Sequence, residues 1–466
     1  MDIDYGQKIW QENYKIVPEQ LRKVKQTGKV FCAFNTNIDA VIKITGQRLR
    51  EIAELVNLSE ADLEEENLKI NSPKDVVRGI IKCFSQGIAE EWLCEKQAVY
   101  EWMRDNLGYD RLQMGGQAGI VANAIATLGV SQVFVHTNSH PKLQAKQFLN
   151  LPNLLGFDEH NEVKQASKIN RVNDLPLIHW IIEFDKDDVL EFADKKYICP
   201  KANRFIATYD MANMNLQINE GFIDYLQKNK FESLILSGYH SLAAENSGVE
   251  RLEATLPLIR QWKADNPQGI IHLELASTQD KEIRKVIIEE IAPLVDSVGL
   301  NDREALDVLE IISPDMYDTI KQQKIDAVKI LEILNVLKLK FKTPRIQLHM
   351  FGLYITLQDK NFRVNPEQNR NGMMLASVVA ATKAGVGKID SYDNLLWSYG
   401  KEIGAYGIEE LSKLADSIET DSLSENGLAE FNGFDLIAVP TILIEKPVTL
   451  VGMGDTISSV SLIGAK

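Results

Sequence analysis

The sequence predicts an α/β fold in which a mainly parallel sheet is flanked by helices, with a smaller α+β lid domain. Two observations carry the prediction: short apolar runs alternate with helical stretches, and two segments interrupt that alternation. Strands joined by helices form parallel sheets that are covered on both faces. Polar residues follow each apolar run, so they should gather at the carboxyl edge of the sheet, where sites in such folds lie.

The predicted strands of the large sheet are short apolar runs bounded by polar residues, at 29–34, 131–136, 233–236, 270–275 and 297–300. Helices are expected over residues 118–128 and, with small side chains, over residues 457–464. Residues 366–373 are expected to form a turn-rich connection within the large domain.

Two segments of different character define the predicted lid. Residues 41–110 are helix-rich and charged, and residues 160–215 contain two β-like runs at 177–184 and 204–208. Because these segments leave and rejoin the α/β alternation, we expect 41–110 and 160–215 to form the small domain. The large, nucleotide-binding domain would then consist of residues 1–40, 111–159 and 216–466.

The composition indicates a globular protein and argues against nucleic acid and membranes as partners. The chain has 466 residues, of which 45% are hydrophobic and 25% are charged, as in a globular protein with a sizeable core. A net charge of −15 disfavours nucleic acid and anionic membranes as partners. The scattered cysteines, the acidic N-terminus and the lack of a long apolar run fit a cytoplasmic protein without secretory signal or membrane span. We expect a monomer or a small homo-oligomer.

The motif Gly452-Met453-Gly454-Asp455 precedes a small-residue helix near the C-terminus. Glycines before a helix let its free N–H groups approach an anion, and the helix dipole favours negative charge there. Asp455 would be placed to accept a hydroxyl proton. The competing interpretation is an aspartate that caps a glycine turn.

Two other polar clusters follow predicted strands or open helices. Gly115 and Gly116 begin a helix and permit close approach of the backbone to a ligand. Asn35, Asn37 and Asp39 offer the donors and acceptors that suit several sugar hydroxyls. A tight connecting loop and a loop cap are the respective alternatives.

A third cluster has the chemistry of a metal site. His272 and Glu274 point to one side of a strand, and Asn301 and Glu304 follow the next strand. Two carboxylates with bound phosphate suffice for Mg²⁺, directly or through its waters. A carboxylate in the first helical turn is the alternative for Glu304.

The order of these clusters resembles that of one enzyme family. The segments Asn203-Arg204-Phe205-Ile206 and Leu348-His349-Met350-Phe351-Gly352-Leu353-Tyr354 are also similar to segments of that family. Over residues 30–465 the chain is identified as a member of the ADP-dependent sugar kinases, the archaeal-type phosphofructokinases and glucokinases of the ribokinase-like superfamily.

The resemblance implies that ADP is the phosphoryl donor and that Mg²⁺ or another divalent cation is the cofactor. The β-phosphoryl group would pass to a sugar hydroxyl with release of AMP, in a modified glycolysis. Asp455 would be the base beside an anion hole shaped by Gly452 and Gly454, and the metal would be held by Glu274, Glu304 and Asp455. The residues facing the sugar would be Asn35, Asn37, Asp39, Gly115, Gly116 and His179. Those near ADP would be Arg204, Asn301, His349, Tyr354, Val439 and Pro440.

The choice of sugar depends on two lid segments of opposite charge. Glu90 and Glu91 follow Gly87, which is similar to glucose-accepting members. A phosphate on the sugar carries about two negative charges and would need cations such as Lys168 and Arg171, although a solvated charged face is the alternative. We therefore expect fructose 6-phosphate, giving fructose 1,6-bisphosphate, to be the better acceptor and glucose the second.

Three other functions stay open. The chain could be an ADP-dependent glucokinase only, or an ATP-dependent ribokinase-like sugar kinase with the same base and anion hole. A non-enzyme alternative is a sugar or nucleotide sensor on a kinase scaffold. The presence of Asp455 disfavours the sensor, and the length and lid segments favour ADP over ATP.

Overall fold

The computed structural model describes residues 1–65, 68–278 and 280–466. Over these residues the strands β1 to β18 are, in chain order, Lys29–Ala33, Asn37–Lys43, Glu90–Leu93, Arg111–Gly115, Gln132–Val135, Leu154–Phe157, Val163–Gln165, Ile178–Phe184, Val189–Phe192, Lys195–Ile198, Asn203–Tyr209, Ser233–Leu236, Ile270–Glu274, Ser297–Asn301, Arg345–Met350, Leu353–Gln358, Leu428–Phe431 and Phe434–Pro440. The α-helices α1 to α19 are Ile3–Asn13, Val17–Val24, Gly46–Leu55, Pro73–Gln86, Gln97–Asn106, Gln117–Thr127, Lys142–Ala145, Met211–Met214, Glu220–Lys228, Gly248–Glu253, Leu256–Asp265, Lys281–Val286, Asp302–Ile312, Pro314–Ile320, Ala327–Phe341, Pro366–Val386, Ala405–Ser417, Asp421–Asn426 and Met453–Ile463.

The larger sheet has the strand order β17-β18-β16-β15-β14-β13-β12-β1-β5-β6-β7. Its centre, from β6 to β15, is parallel, and the strands at both margins are antiparallel. The central strands are apolar and buried because helices cover both faces. The predicted α/β class with a mainly parallel sheet is therefore confirmed.

A second sheet has the strand order β3-β11-β8-β2-β4 and mixes parallel and antiparallel pairs. The helices α3, α4 and α5 supply apolar side chains to a hydrophobic core of its own, which includes Trp92, Trp180 and Phe205. A separate core surrounds the larger sheet. After β1 the chain leaves the larger sheet and enters β2 of the five-stranded sheet, so Asn35, Asn37 and Asp39 lie where the chain passes from one sheet to the other.

The boundaries expected for the lid differ from the pairing of the strands at three places. Residues 37–40 of β2, expected in the large domain, lie in the five-stranded sheet. Strand β4, expected in the large domain, pairs with β2 in the five-stranded sheet. Strand β7, expected in the lid, pairs with β6 at the margin of the larger sheet. Strand pairing joins residues that are distant along the chain, which local sequence patterns do not reveal. The division into a nucleotide-binding domain and a lid remains a proposal.

The prediction of a turn-rich connection at residues 366–373 is wrong, because these residues begin α16. Asn365 and Gln368 form a reciprocal capping box, and Pro366 occupies the first turn, where its missing N–H costs nothing. Asparagine and proline therefore start a helix here. Within the described part of the chain, no helix is both long and apolar enough to cross a membrane.

Candidate active site

The glycine motif forms the entry to α19. Gly452 precedes the helix with φ of +61°, a backbone conformation that favours glycine. A Cβ atom at Gly454 would lie 2.7 Å from His349 Nε2, so the close approach of β15 also requires glycine there. The turn leaves Asp455 in the first turn of α19, beside the free N–H groups of the helix.

Two side chains from other helices hold Asp455 and its loop. Gln117 Nε2 donates to Asp455 Oδ1 at 2.9 Å, and Gln117 Oε1 accepts from the Gly238 N–H at 3.2 Å. Lys383 Nζ donates to the carbonyl oxygen of Gly452 at 2.9 Å and to Thr456 Oγ1 at 3.1 Å. Burial raises the pKa of Asp455, while Gln117 and Lys383 oppose that shift. Burial also lowers the pKa of Lys383 to about 8.

The predicted metal ligand Glu274 lies under the first turns of α19. Its Oε2 atom is 3.1 Å from His272 Nε2, and a Cβ atom at Gly299 would meet it at 2.2 Å. Burial raises the pKa of Glu274 well above its usual range, and the nearby carboxylates of Asp455 and Glu304 raise it further. The three predicted carboxylates therefore share one electrostatic environment.

Glu304 is tied to Asn301 by a reciprocal capping box. Its Oε2 atom accepts from the Asn301 N–H at 2.8 Å, and the Glu304 N–H donates to Asn301 Oδ1 at 2.9 Å. Burial raises the pKa of Glu304 to about 8, against the lowering effect of that hydrogen bond. Glu304 therefore caps α13, as the alternative interpretation expects, and its carboxylate also feels the charge of Asp455. Its role as a metal ligand stays a prediction. No three metal-ligating side chains converge among the described residues.

The predicted sugar contacts meet where β2 lies beside β4. Asn37 Nδ2 donates to Asp39 Oδ1 at 3.0 Å. A Cβ atom at Gly115 would lie 2.2 Å from Asp39 Oδ1, and Gly116 has φ of +73° at the start of α6. The glycine pair therefore makes room for the polar pair. Burial raises the pKa of Asp39 to about 6.

Asn35 contributes an unpaired acceptor close by. Its Oδ1 atom is buried and has no hydrogen-bond partner among the described residues. The backbone of Asn35 packs against Gly238, where a Cβ atom would lie 2.9 Å from the Asn35 N atom. The carboxyl ends of β1 and β12 are thus in direct contact next to Asn37.

The two lid glutamates point in opposite directions. Glu90 accepts from Lys82 Nζ at 2.7 Å and from Trp92 Nε1 at 2.9 Å, on the side of α4. Glu91 is exposed, accepts from Thr208 Oγ1 at 2.5 Å, and lies near Asp39. This alternation follows from the period of a strand, and it leaves Glu91 as the candidate sugar contact.

His179 lies on β8 beside the same residues. Its Nε2 atom is 3.0 Å from Asp210 Oδ2. Burial would lower the pKa of His179, but Asp210 and the nearby Glu91 and Asp39 raise it overall. His179 therefore adds a hydrogen-bonding group to the face that carries Glu91.

The predicted lid cations differ in availability. Arg171 is buried, with Nε 2.7 Å from Asp174 Oδ2 and an N–H group that donates to the carbonyl oxygen of Thr137 at 3.0 Å. Lys168 and Arg204 are exposed. Arg171 is thus held by the protein, whereas Lys168 and Arg204 are available to a ligand. Arg204 shares its sheet face with Thr208, by the strand period.

The predicted nucleotide contacts fall into two groups. His349 pairs with Asn301 across β14 and β15 and packs against Gly454. Tyr354, Val439 and Pro440 are buried in the core, and burial keeps the pKa of Tyr354 well above its usual range. Their side chains therefore offer little surface to a base.

Sequence reasoning missed an aromatic pair at the end of β15. Phe351 is 68% exposed, and its ring lies 5.6 Å from that of Tyr406. It also missed Gln117, Lys383 and His240, which reach the site from α6, α16 and the turn after β12. The available signals in the sequence were a lone lysine in the small-residue stretch 375–386 and a phenylalanine directly before Gly352.

Known proteins resemble this chain over nearly its whole length. The ADP-specific Phosphofructokinase/Glucokinase conserved region matches residues 28–464. An ADP-dependent glucose/glucosamine kinase of Pyrococcus abyssi is 31% identical over 461 residues, covering 97% of this chain and 98% of that protein. The structure of the last common ancestor of ADP-dependent phosphofructokinases from Methanosarcinales is 31% identical, with a TM-score of 0.85 and coverage of 100% and 99%. An ADP-dependent kinase complex with fructose-6-phosphate and ADPbetaS is 30% identical, with a TM-score of 0.80 and coverage of 100% and 98%.

Proposed function

The chain belongs to the ADP-specific phosphofructokinase and glucokinase family, and on that premise we propose that it transfers the β-phosphoryl group of ADP to fructose 6-phosphate. The products would be fructose 1,6-bisphosphate and AMP, and glucose would be a weaker second acceptor. The observation that carries this proposal is the position of Asp455, which lies in the first turn of α19 between the glycine loop and a buried carboxylate cluster.

Asp455 would accept the proton of the attacking sugar hydroxyl. Gln117 occupies one of its oxygens, which orients the carboxylate and leaves the other oxygen for the sugar. A raised pKa makes Asp455 a stronger base than an exposed aspartate. The N–H groups at the start of α19 would stabilise charge on the transferred group, and Lys383 would fix the loop that presents them.

Glu274 and Glu304 would hold a divalent cation, with Asp455 nearby. Their chemistry fits Mg²⁺, because burial raises the pKa of both carboxyl groups and the nearby Asp455 carboxylate raises both further, and a dication would relieve that cost. When bound, the cation would neutralise phosphate charge. If the assignment is right, Glu274→Gln and Glu304→Gln should each raise the Mg²⁺ concentration for half-maximal activity; unchanged values in both would contradict it.

The adenine ring would pack beside Phe351 and Tyr406 rather than on Tyr354. Exposed Phe351, with the partly buried ring of Tyr406 beside it, offers an apolar surface that is suited to a flat base. Phe351→Ala should raise the KM for ADP by about tenfold and leave the KM for the sugar unchanged. Equal effects on both substrates would argue against this position for adenine.

Two observations bear on the choice of sugar. Exposed Lys168 and Arg204 could meet a phosphate, in line with the relative solved with fructose-6-phosphate. Exposed Glu91 suits a neutral sugar, in line with the glucose/glucosamine kinase relative, and it supports an ADP-dependent glucokinase as the second candidate function.

A turnover panel tests the proposal. ADP and ATP are each combined with fructose 6-phosphate and with glucose, and product formation is measured. We expect ADP with fructose 6-phosphate to give the highest kcat/KM. Turnover of glucose alone would favour the second candidate, and turnover with ATP alone would contradict ADP dependence.

A further inference from the structure

The imidazole of His240 lies in the candidate cleft, the region between Asp455 on the larger sheet and Glu91 and His179 on the five-stranded sheet. The ring nitrogens of His240 make no hydrogen bond with the described residues. His240 lies in the 3₁₀ turn Tyr239–Ser241, directly after β12. Its Nδ1 atom is buried without a partner. A buried polar atom without a partner costs free energy, so its retention points to a ligand.

Three other buried histidines show what a structural imidazole looks like in this protein. Both ring nitrogens of His136 are paired, with the carbonyl oxygen of Phe34 and the N–H of Asn219. Both ring nitrogens of His140 and of His272 have partners as well. His240 differs from all three and instead resembles His349, a predicted nucleotide contact whose Nδ1 atom is also buried without a partner among the described residues.

The turn that carries His240 is connected to the proposed base. Gln117 donates to Asp455 through Nε2 and accepts from the Gly238 N–H through Oε1. Gly238 has φ of +90° and packs against Asn35, which fixes the chain two residues before His240. The position of His240 relative to Asp455 is therefore set by one shared side chain.

The surroundings of His240 belong to the sugar side of the cleft. Its charged neighbours are Glu91, Asp455, His179 and Asp210, three of which come from the five-stranded sheet and the residue that follows it. Most nucleotide candidates lie on β14, β15, β16 and β18, whereas β12 lies beside β1, which Asn35 follows. Burial favours the neutral ring, which has one donor and one acceptor nitrogen.

We propose that His240 is a further sugar-binding residue, which hydrogen-bonds an oxygen of the acceptor sugar next to the hydroxyl whose proton Asp455 accepts. The inference rests on the proposed function. It assigns to the larger sheet a direct sugar contact, opposite Glu91 and His179, so that the sugar is held from both sides. In the free protein the ring is positioned but unpaired, and the sugar would complete its hydrogen bonds.

The test compares His240→Leu, which removes both nitrogens, with His240→Gln, which keeps a donor and an acceptor. His160→Leu is the matched control, because His160 is exposed in a distant turn. We expect His240→Leu to raise the KM for the sugar by about tenfold or more, with the KM for ADP unchanged. His240→Gln should recover part of the loss, and His160→Leu should behave as wild type.

Several results would overturn the inference. They are a sugar KM for His240→Leu that matches His160→Leu, equal increases in the KM for sugar and ADP, or no recovery in His240→Gln. Calorimetric titration of fructose 6-phosphate and of glucose reads the same contact without turnover, and should show weaker binding to His240→Leu. If His240→Leu does not fold, His240→Gln alone should bind sugar more weakly than wild type, and equal affinity would overturn the inference.

Failure of the inference can be told apart from failure of the proposed function. If the wild-type protein turns over neither sugar with ADP, the proposed function is contradicted. If the wild-type protein is active and the His240 variant is unaffected, only the role of His240 is contradicted.

Discussion

The two sides of the candidate cleft hold their polar groups differently. At the edge of the larger sheet, Asp455, Glu304 and Lys383 make hydrogen bonds within the protein and are at least partly buried. On the five-stranded sheet, Asn37, Asp39 and His179 are held in the same way. Glu91 and Arg204 on that sheet are exposed, and among the described residues the Glu91 carboxylate bonds only Thr208. The larger sheet thus presents groups assembled before any ligand arrives, and the five-stranded sheet adds exposed side chains that a ligand would meet.

This difference suggests a division of labour. Preorganised groups stabilise charge that develops during any phosphoryl transfer, regardless of the acceptor. Exposed groups of opposite charge can distinguish a neutral sugar from a phosphorylated one. Substitutions on the first side should therefore lower turnover of both sugars, and substitutions on the second should change the preference between them.

The largest effect is expected from Asp455→Asn. Loss of the base should lower kcat by about 10²–10⁴-fold for both sugars, with KM values little changed because the shape is kept. Asp315→Asn, which alters an exposed carboxylate in the first turn of α14, is the matched control and should leave kcat unchanged. A loss below about tenfold in Asp455→Asn would mean that another group accepts the proton.

Glu91→Gln should have the next largest effect. Removing the exposed carboxylate should raise the KM for glucose by about tenfold and leave that for fructose 6-phosphate almost unchanged. Glu90→Gln is the adjacent comparison; it removes the ion pair with Lys82 and one of the two oxygens that accept from Lys82 and Trp92, and should lower thermal stability instead. Equal shifts of the glucose KM in both variants would contradict the claim that only Glu91, on one face of β3, contacts the sugar.

Substitution of the cation Lys168 should affect fructose 6-phosphate rather than glucose, and substitution of Arg171 should act differently from that of Lys168. Lys168→Gln should raise the KM for fructose 6-phosphate severalfold and spare glucose, because an exposed cation can meet the sugar phosphate. Arg171→Gln should lower the Tm and impair both sugars, since it leaves Asp174 without its buried partner. If Arg171→Gln affects only fructose 6-phosphate and leaves the Tm intact, Arg171 contacts the phosphate directly.

The smallest effect concerns the stability of the free protein. Burial raises the pKa of Asp39 from 3.8 to about 6. Because the folded protein binds this proton more tightly than the unfolded chain, its stabilising contribution is present below pH 3.8 and is lost as the pH rises through about 6. The Tm of Asp39→Asn relative to wild type should therefore rise between pH 4 and pH 7.5. A Tm difference between the two proteins that does not vary with pH would show that the pKa of Asp39 is not raised in the folded protein.

The sequence predicts the parts of the site that local patterns encode. Gly452 to Asp455 and Glu304 stand in short motifs at the start of a helix, and the structure puts them there, whereas Asn37 and Asp39, expected after the end of a strand, lie within β2. Lys383 and His240 reach the site across long sequence separations, so no local pattern marks them. The same reason explains why the pairing of β4 with β2 was not foreseen.

Burial was equally hard to predict from local patterns. Tyr354 stands in a segment that resembles the nucleotide-binding part of the family, yet its strand is covered and its side chain is buried. Phe351, three residues earlier, is exposed because the chain turns at Gly352, where φ is +79°. Which of two neighbouring aromatic residues faces a ligand is decided by packing and not by their spacing.

The most direct test of the division between the two sides is the ratio of kcat/KM for fructose 6-phosphate to kcat/KM for glucose, measured with ADP in wild type, Asp455→Asn and Glu91→Gln. We predict that Asp455→Asn lowers both values and keeps their ratio, whereas Glu91→Gln raises the ratio by about tenfold. A ratio that changes in Asp455→Asn, or stays constant in Glu91→Gln, would contradict the separation of chemistry from sugar choice.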